Sequence, residues 1–129
     1  MRTINREQLK ARLDRGDVFK LYMTLGRRAF DHSHIPGSIH LDRITEVAAT
    51  LSPEDEIVVY CAGPACISSI NAYRVFRKLG FTHLYRYAGG LEAWYDAGYT
   101  LEGDVTSQRE AALAASHIRS KPVKAPELS

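Results

Sequence analysis

No apolar run in this chain approaches the roughly 20 residues that a membrane-spanning helix needs. The first residues, Met1 to Glu7, lack the apolar stretch of a secretory leader. Cysteine is scarce: there are two, Cys61 and Cys66, in one short segment. Two neighbouring cysteines do not make the disulfide framework of a small secreted domain, so a reducing cytoplasm is the expected compartment. Excess charge of one sign is missing too. A formal net charge of +2 over 129 residues argues against nucleic acid or an anionic membrane as a partner. Metal-ligand spacing is absent as well. His32, His34 and His40 are close in sequence, but no cysteine lies near them and the pattern fits no metal site. A structural hydrogen bond is the expected role of His34. Neither a metal nor an organic cofactor is expected. What is present is a globular composition, 45% hydrophobic and 25% charged, in a chain long enough for one domain with a real core.

Strand and helix signals alternate along the chain. Asn5 and Gln8 have the spacing of a capping box, which predicts a helix carrying Leu9 and Leu13 and ending near Gly16. Val18 to Leu25 alternates as a strand does. Gly26 to Ser33 reads as a polar loop or a short helix around Phe30, and Ser38 to Leu41 as a short strand. Asp42 is a candidate cap for a helix running to about Thr50. Ser52 to Asp55 is a turn before the apolar strand Ile57 to Tyr60. A helix from Ile67 to Leu79 would place Ala72, Val75, Phe76 and Leu79 on one face. Arg74, Arg77 and Lys78 would form its solvated side. Gly80 ends it, Phe81 to Tyr87 reads as another strand, and Gly89-Gly90 opens a helix in which Trp94 is a core residue. This alternation predicts an α/β fold with a parallel sheet and helices on both faces. Residues 1–103 form the expected domain. Residues 104–129 form an expected C-terminal extension: an Ala-rich helical stretch from Val105 to Ile118, then a loose tail with two prolines.

One segment carries the chemistry: Ile57-Val58-Val59-Tyr60-Cys61-Ala62-Gly63-Pro64-Ala65-Cys66. A strand stops at a cysteine, a loop with Gly and Pro follows, and a helix begins. The dipole and free first-turn amides of a helix favour an anion, and such a setting brings a cysteine thiol down from about 8.5. The thiolate is the nucleophilic form. A buried structural cysteine at a strand end fits the same local pattern.

Two flanking segments bear on that choice. Upstream stands His34-Ile35-Pro36-Gly37-Ser38-Ile39-His40-Leu41, and downstream Tyr87-Ala88-Gly89-Gly90-Leu91-Glu92-Ala93-Trp94. With the cysteine loop between them, the chain resembles the rhodanese family of sulfurtransferase-type domains from Ile4 to Gly103. The resemblance implies a central parallel sheet of about five strands. It implies that Cys61 takes a sulfane sulfur, becomes a persulfide and passes the outer sulfur to a nucleophilic acceptor. The donor would be a small molecule or a persulfidated protein, and the acceptor a thiol. A persulfide anion needs several donors aimed at one point. The amides of Ala62, Gly63, Ala65, Cys66 and Ile67 can supply them, whereas Pro64 shapes the loop without an N–H. Ser68 and Ser69 are candidates either to cap the helix or to reach the site.

The sequence departs from the family pattern twice. Many members carry a basic residue in the loop, often just before the helix. Here that place is Cys66, and no Lys or Arg lies between Cys61 and Ile67. Thiosulfate is therefore expected to be a poor donor. Many members also carry Asp-x-Arg at the end of the second strand, where this chain has Met23 and Leu25, an apolar pair in place of an ion pair. A rival reading is a non-catalytic rhodanese-like module that binds a partner or senses redox state. The related dual-specificity phosphatases need an Arg at the position of Ile67 to bind two phosphate oxygens, so that activity is excluded. Cys66 has two readings. It is a resolving thiol able to form a disulfide with Cys61, or a small apolar residue starting the helix and facing the core.

Overall fold

A computed structural model describes residues 1–103, so the C-terminal extension at 104–129 lies outside the described residues. The elements are β1 (Thr3–Ile4), α1 (Arg6–Arg15), β2 (Lys20–Met23), α2 (Arg27–His32), β3 (Ile39–His40), α3 (Ile44–Ala49), β4 (Ile57–Tyr60), α4 (Ser68–Lys78), β5 (Leu84–Tyr87) and α5 (Gly90–Asp96). The strands form one 5-stranded sheet in the order β1-β5-β4-β2-β3, with every pairing parallel. All four residues of β4, at its centre, are buried. A central strand of a parallel sheet has no solvent face, so it reads as a continuous apolar run.

Alternate residues of the strands feed two separate cores. Leu21, Met23, Val58, Tyr60 and Tyr87 pack with Leu9 of α1 and Trp94 of α5. Tyr22, Ile57, Val59 and Leu84 pack on the other side with Ala72, Tyr73 and Phe76 of α4, against Ile44 and Val47 of α3. Helices therefore cover both faces, as the alternation predicts. The Met23 and Leu25 pair lies in the first of these cores, where apolar contact holds the end of β2 without an ion pair.

The capping box of α1 is complete, with Asn5 and Gln8 each serving the other's amide and Gly16 closing the helix at φ 75°. Gly26 to Ser33 takes the helical alternative. Other boundaries move. The second strand begins only at Lys20, because Val18 is 93% exposed and Phe19 only flanks the core. Asp42 caps nothing: Arg43 occupies the N-cap of α3 without a side-chain bond. Ile67 precedes α4 rather than starting it, and Leu79, its C-cap, turns outward at 47% exposure. Phe81 is not in β5 but plugs the core edge-on to Phe76, ring centroids 5.5 Å apart. Strand β1 is too short to carry a sequence period.

Candidate active site

The site is built where β4 ends. The Tyr60 hydroxyl accepts from the Ile35 amide at 3.0 Å and pairs with Ser38 Oγ at 2.9 Å, while Ser38 Oγ donates to the Ile35 carbonyl at 2.6 Å. The His34-to-Ser38 segment thus clamps the residue before Cys61. Burial pushes the Tyr60 phenol up to about 12, partly offset by its bonds to Ser38 and Ile35, so it stays neutral. His34 and His40 make structural contacts. His34 Nδ1 pairs with the Phe30 carbonyl at 2.7 Å and its ring stacks on Phe30, and His40 Nε2 pairs with the Leu25 carbonyl at 2.9 Å.

Cys61 is 1% exposed. Its sulfur lies 3.3 Å from Ser69 Oγ and 3.5 Å from the Cys66 carbonyl oxygen, two acceptors for the single thiol proton. Ser69, buried on the first turn of α4, therefore reaches the site and does not cap the helix. A second side chain lies beneath the loop. Arg86 of β5, 7% exposed, donates through Nε to Ser69 Oγ at 2.8 Å and through Nη2 to the carbonyls of Pro64 at 3.3 Å and Cys66 at 3.5 Å. Motif reasoning overlooks Arg86, which is remote in sequence from the loop. One signal was available: a charged residue on the Leu84 side of a strand in a parallel sheet has no solvent to face.

The loop departs in part from the expected cradle. The Cys66 amide closes on the Gly63 carbonyl at 3.1 Å, so it does not aim at the centre. Among the described residues, the amides of Gly63, Ala65 and Ile67 donate no hydrogen bond within the protein and remain as donors. Cys66 does not turn into the core. Its Sγ lies 3.2 Å from Ser68 Oγ and it is partly exposed. Partial burial raises this thiol, but hydrogen bonds with Cys61, with the Ser68 side chain and amide, and with the Ala62 amide outweigh it and bring Cys66 down to about 7.

The glycine pair places α5 against the loop. The amides of Leu91 and Glu92 donate to the carbonyls of Cys61 and Ala62 at 3.0 and 2.9 Å. Gly90 has φ +64°, and a Cβ there would lie 2.5 Å from the Cys61 carbonyl oxygen. Only glycine allows both the conformation and the approach. Glu92 lies against Gly63: its Oε1 is 3.2 Å from where a Cβ on that residue would sit.

Residues 5–97 match the rhodanese-like domain family. The chain belongs to that family. Two curated relatives are similar to it. Thiosulfate sulfurtransferase GlpE of Pseudomonas syringae pv. syringae is 33% identical over 90 residues, covering 68% of this chain and 81% of that enzyme. HTH-type transcriptional regulator Rv0324 of Mycobacterium tuberculosis is 31% identical over 102 residues, covering 77% of this chain but only 44% of the regulator. This chain thus spans under half of the regulator's length. Among solved structures, protein BH2092 of Bacillus halodurans superposes with a TM-score of 0.75 at 26% identity, covering 81% of this chain and 78% of that one. Within this rhodanese-like domain, Ile67 is 66% exposed at the place where a phosphatase loop would need its Arg. None of the described helices is long and apolar enough to cross a membrane.

Proposed function

We propose that this rhodanese-like domain is a sulfurtransferase with Cys61 as nucleophile and persulfide carrier. The observation that carries the reading is the position of Cys61: at the carboxyl end of the central strand, beneath a loop with three unengaged amides, Gly63, Ala65 and Ile67. The carboxyl ends of strands are where open α/β sheets bind ligands. In the first step the Cys61 thiolate attacks the sulfane sulfur of a donor. A sulfur–sulfur bond forms on Cys61, the donor's bond to that sulfur breaks, and the leaving group departs with the electron pair. The persulfide anion is held by the free amides. In the second step an acceptor thiolate attacks the outer sulfur and Cys61 leaves as thiolate. No metal or organic cofactor enters either step. The chemistry requires reduced thiols, which a cytoplasm provides.

The donor we favour carries little charge: a small persulfide or a persulfidated protein. No Lys or Arg lies between Cys61 and Ile67, the Arg86 guanidinium is buried and turned to Ser69 and the loop carbonyls, and the Glu92 carboxylate lies against Gly63, so the loop itself offers a dianion such as thiosulfate no direct cationic contact. The similarity to an enzyme named thiosulfate sulfurtransferase supports the reaction class. A non-catalytic, redox-sensing module is the second reading, favoured by the depth of Cys61, 1% exposed. Intact-mass spectrometry after incubation with a panel of sulfur donors separates the two. The carrier gains one sulfur atom on Cys61, loses it to an added thiol, and gains none as Cys61→Ser. No gain with any donor, or an equal gain in Cys61→Ser, would sink the carrier reading.

A further inference from the structure

Tyrosines aside, the buried polar or charged side chains among the described residues are Ser69 and Arg86, and both converge on Cys61. A guanidinium out of water is costly without a counter-charge. Among the described residues no carboxylate lies within ion-pair distance of Arg86. Its acceptors are neutral: Ser69 Oγ and the carbonyls of Pro64 and Cys66. They fix its geometry and leave its charge unbalanced. Two of those acceptors, Ser69 Oγ and the Cys66 carbonyl, are shared with the Cys61 sulfur. Sheet register makes this meeting possible. Val59 pairs with Arg86 across the β4–β5 ladder, so Arg86 points to the α4 side, the side to which Cys61 also returns.

We propose that Arg86, acting through Ser69, is the positioning residue for the anionic form of the Cys61 sulfur, so that the cation of this site comes from a neighbouring strand instead of from the loop. The inference rests on the reading of Cys61 as nucleophile. Arg86 Nε–H occupies a lone pair of Ser69 Oγ and leaves that hydroxyl one proton to give. While Cys61 is a thiol, S–H donates to Ser69 Oγ. Once Cys61 is a thiolate, the hydroxyl turns and donates to sulfur, and the guanidinium behind it gains its missing counter-charge. Cys61 is anionic both as it attacks the donor and as it leaves in the transfer step, so both halves of the cycle use the pair.

The competing role is a brace in which Arg86 only ties down the Pro64 and Cys66 carbonyls. Arg86→Gln and Arg86→Lys distinguish the two, both in a Cys66→Ala background so that Cys61 is the thiol read. The proposal expects Arg86→Gln to slow sulfur loading about tenfold to a hundredfold and Arg86→Lys to restore most of it. The melting temperature of Arg86→Gln should hold or rise, since an unbalanced buried charge is removed. Alkylation of Cys61 by anionic iodoacetate should fall more than alkylation by neutral iodoacetamide. Unchanged loading in Arg86→Gln overturns the proposal. So does a loss shared equally by both reagents, with a lowered melting temperature and no rescue by Lys. The alkylation ratio needs no sulfur transfer, so it stands apart from the carrier reading, which fails if Cys61→Ser still transfers sulfur.

Discussion

The two faces of the sheet are packed differently, although the same strands supply both. Under α1 and α5 the layer runs from Leu9 through Val58 and Tyr87 to Trp94 without a buried charge. Tyr87 meets Tyr60 and Trp94 in tilted and edge-on ring contacts, and Trp94 Nε1 finds the Thr100 carbonyl at 2.8 Å. Under α4 the layer is equally apolar around Phe76, Ile57 and Leu84, but the first turn of the helix brings Ser69 over Arg86. One face spends its volume on packing, and the other interrupts packing where the strands end. Stability and chemistry are therefore expected to respond to different substitutions.

Trp94→Ala tests the apolar face and should have the largest effect on stability. A cavity of that size costs about 3–5 kcal/mol, read as a lower denaturation midpoint in urea, while folded molecules in the cold should still load sulfur. Loss of loading in molecules shown to be folded would break the division. Gly90→Ala lies at the junction. Positive φ and the 2.5 Å approach to the Cys61 carbonyl should cost about 2–3 kcal/mol and also reduce loading, because the loop must shift. A variant that lost stability alone would show that the loop tolerates a displaced α5. Ser69→Ala probes the polar face. Loading should slow about tenfold, the value of one hydrogen bond to an ion, and the buried Arg86 Nε–H left without its acceptor should cost about 1–3 kcal/mol of stability, less than Trp94→Ala. Unchanged loading would erase the distinction between the faces.

The smallest expected effects concern Cys66. Its thiolate is the form that alkylates, and the thiol is brought down to about 7. Its iodoacetamide rate should therefore rise with pH to a midpoint near 7 rather than near that of an ordinary thiol. In Cys61→Ala the midpoint should move up, because one of the bonds that lowers it is gone; an unmoved midpoint would separate the two cysteines. We also propose Cys66 as resolving thiol. After peroxide oxidises Cys61 to a sulfenic acid, Cys66 displaces water and a Cys61–Cys66 disulfide forms. Peptide mapping should then find a linked peptide in the parent and faster sulfinic acid formation in Cys66→Ala. Equal rates and no linked peptide would leave Cys66 only its structural contacts.

Features set by a few adjacent residues were legible in the sequence. The Asn5 and Gln8 box, the apolar β4, the glycine that ends α1 and the strand–cysteine–loop–helix run each depend on local dihedrals and short-range hydrogen bonds. The three motifs in register identified the family and its α/β sheet, because their order along the chain is itself the information. Boundaries such as Val18 and Asp42 were less legible, since burial decides there between equally permitted local conformations. The tertiary structure alone decided where the loop atoms go: the Cys66 amide to the Gly63 carbonyl, the Cys66 sulfur to Ser68, Glu92 against Gly63. It alone brought Arg86 under Cys61. That meeting depends on the register of β4 against β5 and on the placement of α4 above them. Neither is encoded in any short stretch of chain, because both result from packing summed over the whole sheet.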